Sequence, residues 1–419
     1  MMKSTSLPFL SSNLCLLLLF LVMLLSPADA SAKQLKEISS LLTDQDACLL
    51  VAPDGADLAA IHADTPLIPA STLKVFTALA GFHYLGPDYR FPTEIYLSPE
   101  GDLTVRGYGD PLLISEVLRE LAGEIRSRLP EERPAVRDLI LDDTYFESPL
   151  TIPGISDSSE PYDAPNGALC ANFNTVSFKQ GPKGDYTSGE AQTPLLPAVL
   201  SRVRRSGLEE GRIPLSHKRE ESTGYTGHLL RYFLEETGVS ITGSIHFGSP
   251  DTARSRLLLT FKSPFTLSDA VSKLMEFSNN FTANQILIAA GAKAFAPPGT
   301  LEKGCRAAGA FAADQLSLQD FNIVEGSGIS RNNRITARTM LRILTAFQPY
   351  HTLMQRKDRM YYKTGTLSGV ATRAGYLEGP EGTLYPFVVM LNASEENMQE
   401  IMKRLNRIVH TGTDRQKVE

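Results

Sequence analysis

Hydrophobic and polar positions change texture three times along the chain. The first texture is an almost uninterrupted apolar run, Leu14 to Leu25, with Lys3 before it and Ala28-Asp29-Ala30 after it. A positive flank, an apolar core and a small-x-small tripeptide together read as an export signal over residues 1–30, cleaved after Ala30 or, almost as well, after Ala32. The run is short for a retained membrane-spanning helix. Cys15 stands at its start instead of following it, which argues against a lipidated cysteine.

The second texture mixes helical and strand periods. Gln34 to Leu42 reads as a short helix. Ala47–Val51 and Ala59–Ile61 flank the turn signal Pro53-Asp54-Gly55 and read as a hairpin. A helix follows from about Ser71 to Tyr84, with apolar Leu73, Phe76, Ala80 and Phe82, and Gly86-Pro87 ends it. From Phe91 to Thr252 the third texture takes over. Short strand-like pieces such as Thr93–Leu97 and Asp138–Leu141 are separated by Pro and Gly clusters. Leu113–Arg128 is a helical piece, and Pro149–Pro165 is loop by composition.

The mixed texture then returns. Ser255–Lys262 is a strand, Leu267 to Phe295 is helix-rich, and Arg338–Phe347 is a helix. Met360–Tyr376 with Leu384–Leu391 reads as a β-hairpin, and Glu396–Ile408 as a final helix. That helix carries the stripe Met398, Ile401, Met402, Leu405, Ile408. A stripe of this kind either anchors to a membrane surface or packs on a core, and the core reading is preferred. The pattern predicts a catalytic domain split in sequence, residues 31–90 and 255–419, with a β-rich domain, residues 91–254, inserted between its halves.

Composition narrows the function. A chain of 419 residues is too long for one ordinary core. A net charge of −6 argues against a nucleic-acid binder, which needs a basic footprint. Once Cys15 leaves with the signal, Cys48, Cys170 and Cys305 remain. One disulfide plus a free thiol, or three thiols, are both open. The seven histidines are scattered and no H-E-x-x-H occurs, so a metal site has little support.

Three short peptides carry the chemistry: Ser71-Thr-Leu-Lys74, Ser278-Asn-Asn280 and Lys363-Thr-Gly365. Ser71 and Lys74 lie three apart at a helix start, so their side chains are neighbours. Apolar neighbours and the positive end of the helix both disfavour the ammonium, leaving an amine that can take the serine proton. Ser278-Asn279-Asn280 fits badly inside an apolar helix and suits a turn that aims Ser278 and Asn280 into a cleft. Lys363, Thr364, Gly365 and Thr366 sit in a strand pattern. The glycine suggests close approach by another backbone, the lysine supplies positive charge, and Thr364 and Thr366 can bind a terminal carboxylate. Each peptide alone has an ordinary structural explanation. Together, in this order, they describe an active-site serine enzyme that binds penicillin-like ligands.

At this point the chain resembles the class C low-molecular-mass penicillin-binding proteins, a family of D-alanyl-D-alanine carboxypeptidases/endopeptidases. The likeness runs through Ile68–Val75, Arg90–Thr93, Leu103–Pro111, Leu141–Phe146, Ala168–Asn174, Glu325–Ser330, Lys363–Val370 and Ala374–Tyr376. It implies an α+β fold: a β-lactamase/transpeptidase-like catalytic domain, with an antiparallel sheet flanked by helices, split by an inserted mostly β domain. It also implies peptidoglycan peptides and β-lactams as ligands, no metal or organic cofactor, and a place in the periplasm or cell envelope. By the same resemblance Ser71 is the acylated nucleophile, Lys74 its base, Ser278 the proton shuttle, Asn280 the amide holder and Lys363 the electrostatic group. The backbone N–H groups of Ser71 and Thr366 would form the oxyanion hole.

The chain departs from the family in three places. The span from Ser71 to Ser278 and the segment from Arg331 to Lys363 are short, and Glu325 stands where the family usually has Asp. Two other readings compete: a β-lactamase, against which the long insertion argues, and a catalytically weak peptidoglycan-binding envelope protein, against which the five retained site residues argue.

Overall fold

The structure, a computed structural model, describes residues 27–411 except 133, 157 and 320. The apolar run read as an export signal, with Cys15, lies outside the described residues, and the expected cleavage point at Ala30 falls within the first helix.

That helix is α1 (Pro27–Ser39), followed by β1 (Asp46–Val51), β2 (Asp57–Ile61) and α2 (Lys74–Leu85). Next come β3 (Pro92–Leu97), β4 (Leu103–Gly107), α3 (Ser115–Arg128), β5 (Ala135–Val136), β6 (Leu139–Asp142), β7 (Thr175–Gln180) and β8 (Tyr186–Ser188). The middle of the chain continues through α4 (Pro197–Ser206), β9 (Glu210–Pro214), α5 (Arg219–Glu236), β10 (Ser240–Ile241), β11 (Ile245–Phe247) and β12 (Arg256–Lys262). The last third holds α6 (Leu267–Phe277), α7 (Asn280–Phe295), α8 (Leu301–Leu316), α9 (Ala337–Phe347), β13 (Gln355–Lys357), β14 (Met360–Leu367), β15 (Val370–Glu378), β16 (Leu384–Leu391) and α10 (Met398–Thr411).

Strands from both ends of the chain share one sheet, in the order β13-β14-β15-β16-β1-β2, with every neighbouring pair antiparallel. The alternation of a strand sends successive side chains to opposite faces, and here both faces are covered. Ala47, Leu49, Val51, Val388 and Met390 meet a helical layer that includes Phe76, Leu274, Ile286 and Met340. Cys48, Leu50, Phe387, Val389 and Leu391 face the other way, onto Ile38 of α1 and Ile401 and Leu405 of α10. Sequence neighbours in β1 therefore belong to different cores.

The stripe on α10 is buried along its length, from Ile401 and Leu405 at 0% exposed to Met398 at 7%. It packs on the sheet and offers no apolar face to a membrane surface, so the preferred core reading holds and the anchor reading does not. Among the described residues no helix is long and apolar enough to cross a membrane.

The middle of the chain builds a five-stranded sheet, β11-β6-β4-β3-β12, with smaller sheets β8-β7-β9 and β10-β5 beside it. It has its own core, where Leu118, Leu121, Leu230 and Phe233 of α3 and α5 meet Ile95, Val105 and Leu141 of the strands. Strands and the three helices α3, α4 and α5 contribute comparable lengths to this unit. One boundary differs from the sequence reading. Residues 255–262 were assigned to the second catalytic segment, but β12 pairs with β3 from Arg256↔Leu97 to Lys262↔Pro92. The inserted sheet thus closes at Lys262 instead of residue 254. The pattern of a strand shows that it is one, while its partner is a long-range choice made by packing.

Candidate active site

The segment that carries Ser71 is held tightly before it turns into a helix. Ala70 takes a left-handed backbone, φ 47°, and a 3-10 turn over Ala70–Leu73 feeds α2. That conformation is costly for a residue with a Cβ, so the surroundings must enforce it. The Thr72 hydroxyl donates to the Pro69 carbonyl at 2.6 Å, and the Thr372 hydroxyl of β15 donates to the same carbonyl at 2.7 Å. Ser71 follows, half-buried, with its side chain toward Lys74.

Lys74 is fully buried, and its Nζ meets three oxygens: Ser71 Oγ at 2.6 Å, Asn280 Oδ1 at 2.8 Å and the Ser327 carbonyl at 2.7 Å. Burial holds this amine well below the ordinary lysine range. The charge of Lys363 pushes the same way, and the charge of Glu325 opposes it. A neutral amine has two hydrogens and one lone pair. Two of its three partners, an amide oxygen and a backbone carbonyl, can only accept. They take the two hydrogens, which leaves the lone pair for the proton of the Ser71 hydroxyl. With the amine neutral, these contacts aim its lone pair at Ser71.

The Ser327 carbonyl is positioned by Glu325, which is buried at 0% exposed. The Glu325 carboxylate accepts from the N–H groups of Ser327 (2.6 Å), Gly328 (2.7 Å) and Ser330 (3.3 Å), and from the Ser327 hydroxyl (2.6 Å). It also accepts from the side-chain amides of Asn333 at 2.7 Å and Asn284 at 3.2 Å. Six donors around one carboxylate fold residues 325–330 into a tight loop. Gly328 is required there: its φ is +84°, and a Cβ would come within 1.9 Å of the Ala70 carbonyl oxygen. The sequence marks Glu325 as a departure, and the structure shows the larger acid filling the loop completely.

Ser278 breaks the helix-rich stretch, as its polarity predicts. It caps α6 in a left-handed conformation, φ 57°, and Asn279 caps α7 by accepting from the Thr282 N–H at 2.9 Å. The break turns Ser278 toward Lys363, whose Nζ lies 2.8 Å from Ser278 Oγ and 2.8 Å from the Thr364 carbonyl. Lys363 is 2% exposed, and burial pulls it down to about 8. Asn280, in the first turn of α7, reaches Lys74.

The strand β14 explains Gly365. A Cβ at this position would lie 2.6 Å from the Ser71 nitrogen and 2.4 Å from Thr372 Oγ1. The close backbone approach inferred from sequence is therefore to the segment that carries Ser71. The strand is only partly an edge. β13 covers Met360–Tyr362, whereas among the described residues no strand pairs with Lys363–Leu367 on that side. Thr366 is exposed and lines a cleft of about 510 Å³ with Ser71, Asn280, Tyr162, Arg331 and Ser368. Thr364 is half-buried one residue pair away, on the same strand face as Thr366.

All eight residues singled out from the sequence thus lie in or beside one cleft. The sequence reading assigned no role to Ser327, although it lies in the Glu325–Ser330 stretch, and missed Asn284 and Asn333, which bond to Glu325, and Arg331 and Tyr162 on the cleft wall. Nothing local marks the last four. Among the described residues no cluster of three or more His, Cys, Asp or Glu is placed to hold a metal ion. Cys48, Cys170 and Cys305 are free thiols, and burial raises each of them.

A buried lysine amine aimed at a serine, a second buried lysine on an open strand edge, and a sheet flanked by helices define a serine acyl-transfer enzyme of the β-lactamase/transpeptidase type. Comparison with known proteins makes the class specific. The family model for the D-Ala-D-Ala carboxypeptidase 3 (S13) family matches residues 32–204, 207–356 and 347–411, and the chain belongs to that family. It is similar to a D-alanyl-D-alanine carboxypeptidase of Actinomadura sp. (strain R39), 28% identical, over 79% of this chain and 74% of that protein. It is also similar to the D-alanyl-D-alanine carboxypeptidase DacB of Haemophilus influenzae, 22% identical, over 80% of this chain and 82% of that one. Its fold matches the solved penicillin binding protein 4 of Haemophilus influenzae with a TM-score of 0.68 and 18% identity, over 89% of this chain and 98% of that chain. The fold class and the family expected from the sequence are both borne out.

Proposed function

We propose that this protein is an active-site serine D-alanyl-D-alanine carboxypeptidase and D,D-endopeptidase that trims peptidoglycan stem peptides and binds β-lactams covalently. The observation that carries this reading is the contact set of Lys74, which leaves its lone pair to Ser71. An extended stem peptide adds to the open edge of β14. Ser71 Oγ, deprotonated by Lys74, attacks the carbonyl of the penultimate D-alanine. The N–H groups of Ser71 and Thr366 stabilise the oxyanion. Asn280 holds the substrate amide, and Ser278 passes the proton to the departing nitrogen. Lys363, Thr364 and Thr366 receive the terminal carboxylate. Gly365 lets strand and nucleophile approach closely enough for this. Water, activated by the same base, then releases the acyl group.

A β-lactam enters the same path, and its leaving group stays tethered to the acyl-enzyme, which obstructs the water. Export by a signal cleaved near Ala30 brings the enzyme to its substrate in the cell envelope. The catalytic fold is read as residues 31–90 together with the chain after the insertion.

Fluorescent penicillin labelling followed by product analysis tests this. The intact protein should form a covalent adduct and release D-alanine from a muropeptide pentapeptide, and Ser71→Ala should do neither. An adduct that persists in Ser71→Ala would remove Ser71 as the nucleophile.

A further inference from the structure

The open edge of β14 has a cavity at each end. One is the cleft of about 510 Å³ beside Ser71, Thr366 and Ser368. The other, of about 480 Å³, lies past Lys363, between the end of α6 and β13. Ser272 and Glu276 form one wall, and Gln355, Arg356, Lys357 and Tyr362 form the other. Gln355 Nε2 ties the walls together by donating to the Glu276 carbonyl at 2.5 Å. This second groove is lined by chain neighbours of the site residues. Tyr362 precedes Lys363 on β14, Glu276 lies two residues before Ser278, and Lys363 and Ser278 are bonded.

Strand direction assigns the two cavities. β14 runs from Met360 to Leu367, and its neighbours in the sheet are antiparallel to it. A substrate strand added in the same sense places its N-terminal, acyl arm beside Thr366 and Ser368. Its C-terminal, leaving arm points past Lys363 toward Tyr362. Ser278, the group placed to protonate a leaving nitrogen, is at that end. A carboxypeptidase needs no more room there, because its leaving group is a single D-alanine that ends at Lys363. The second groove nevertheless falls within the usual range of ligand sites, about 300–1,000 Å³. The leaving arm cannot continue as a strand, because β13 occupies the edge at Met360–Tyr362. It must cross into the groove and be held by side chains.

We propose that the groove between α6 and β13 is the subsite for the leaving stem peptide of a peptidoglycan cross-link, and that it gives the enzyme its D,D-endopeptidase activity. Lys357 offers positive charge to the free carboxylates of that stem, beside Arg356, whose guanidinium is paired with Glu378 at 2.8 Å. The proposal rests on Ser71 as nucleophile and β14 as the substrate edge. In the step it serves, the Ser71 Oγ–C bond forms and the C–N bond of the cross-link breaks. The Ser71 proton passes by Lys74 and Ser278 to the departing amine of the second stem, and water later hydrolyses the ester.

The test uses the full chain, Lys357→Glu and Ser272→Trp, on a muropeptide pentapeptide and on a D-alanine-cross-linked muropeptide dimer. Charge reversal at the groove wall and an indole in the groove should each lower kcat/KM for the dimer by roughly fivefold or more, the scale of one charge-assisted contact. D-alanine release from the pentapeptide and the rate of penicillin acylation should not change. Equal losses on both substrates, or dimer cleavage unaffected by both substitutions, would overturn the assignment. If the unsubstituted enzyme trims the pentapeptide but leaves the dimer intact, the groove proposal fails and the carboxypeptidase reading stands. If it does neither and takes no penicillin, both fail.

Discussion

Two buried lysines divide the chemistry, and their opposite tasks set the pH response. In the proposed mechanism Lys74 is neutral when it accepts the Ser71 proton, and burial together with the Lys363 charge favours that form. In the same mechanism Lys363 is charged when it holds a carboxylate, and burial brings it down to about 8. Activity should therefore rise with pH as Lys74 loses its proton, and fall as pH passes about 8 and Lys363 loses its own. Rates of D-alanine release across that range, with kcat/KM read against pH, check the sign of both limbs. A profile that keeps rising through alkaline pH would contradict the role of Lys363. Glu325 gives a second measurement at this scale. Glu325→Gln keeps the size and removes the charge that supports the protonated form of Lys74. The acid limb should then move to lower pH, while the amide hydrogens, facing only donors, cost about 1–3 kcal/mol of stability. A loop that served only as packing would lose stability without moving the limb.

At the scale of elements, the site depends on the meeting of β14 with the turn before α2. Gly365→Ala would drive a methyl to 2.6 Å from the Ser71 nitrogen and 2.9 Å from the Ala70 Cβ, so one backbone must retreat. Penicillin acylation should slow by roughly a hundredfold, the scale of a misplacement near 1 Å, while circular dichroism remains that of the native fold. A native acylation rate would mean that the contact is not tight in solution. On the far face of the sheet, α10 acts as a core element. Leu405→Ala should cost about 2–5 kcal/mol, measured by denaturant unfolding, because the fully buried side chain leaves a cavity. Binding to anionic vesicles should be absent with or without the substitution. The helical stripe was legible in the sequence, but its periodicity is the same for a membrane surface and for a sheet. Only the position of β16 and β1 beneath it decides between them.

Across the whole molecule, the inserted unit meets the catalytic helices through apolar side chains such as Phe146 and Ile152, through backbone bonds at Gly299, and through one well-connected buried amide. Gln285 of α7, 0% exposed, donates to the carbonyls of Gly109 and Gly167 at 3.2 and 3.0 Å and accepts from Asn166 Nδ2 at 3.0 Å. Gln285→Ala should destabilise the protein by about 2–4 kcal/mol, since it strands several buried polar partners at once. Urea unfolding should show the lower midpoint while penicillin labelling of the folded protein persists. By itself the sequence determined the chemistry and the local elements. Ser71 and Lys74 share one helix turn, Ser278-Asn279-Asn280 must break a helix, and Gly365 asks for a close neighbour, because each of these is a matter of short-range geometry. The tertiary structure decided the rest: that β12 joins the inserted sheet, that β13 shortens the open edge of β14, and that six donors gathered around Glu325 aim Ser327 at Lys74. Those choices join residues far apart in the chain, and no local pattern records a partner that only packing brings close.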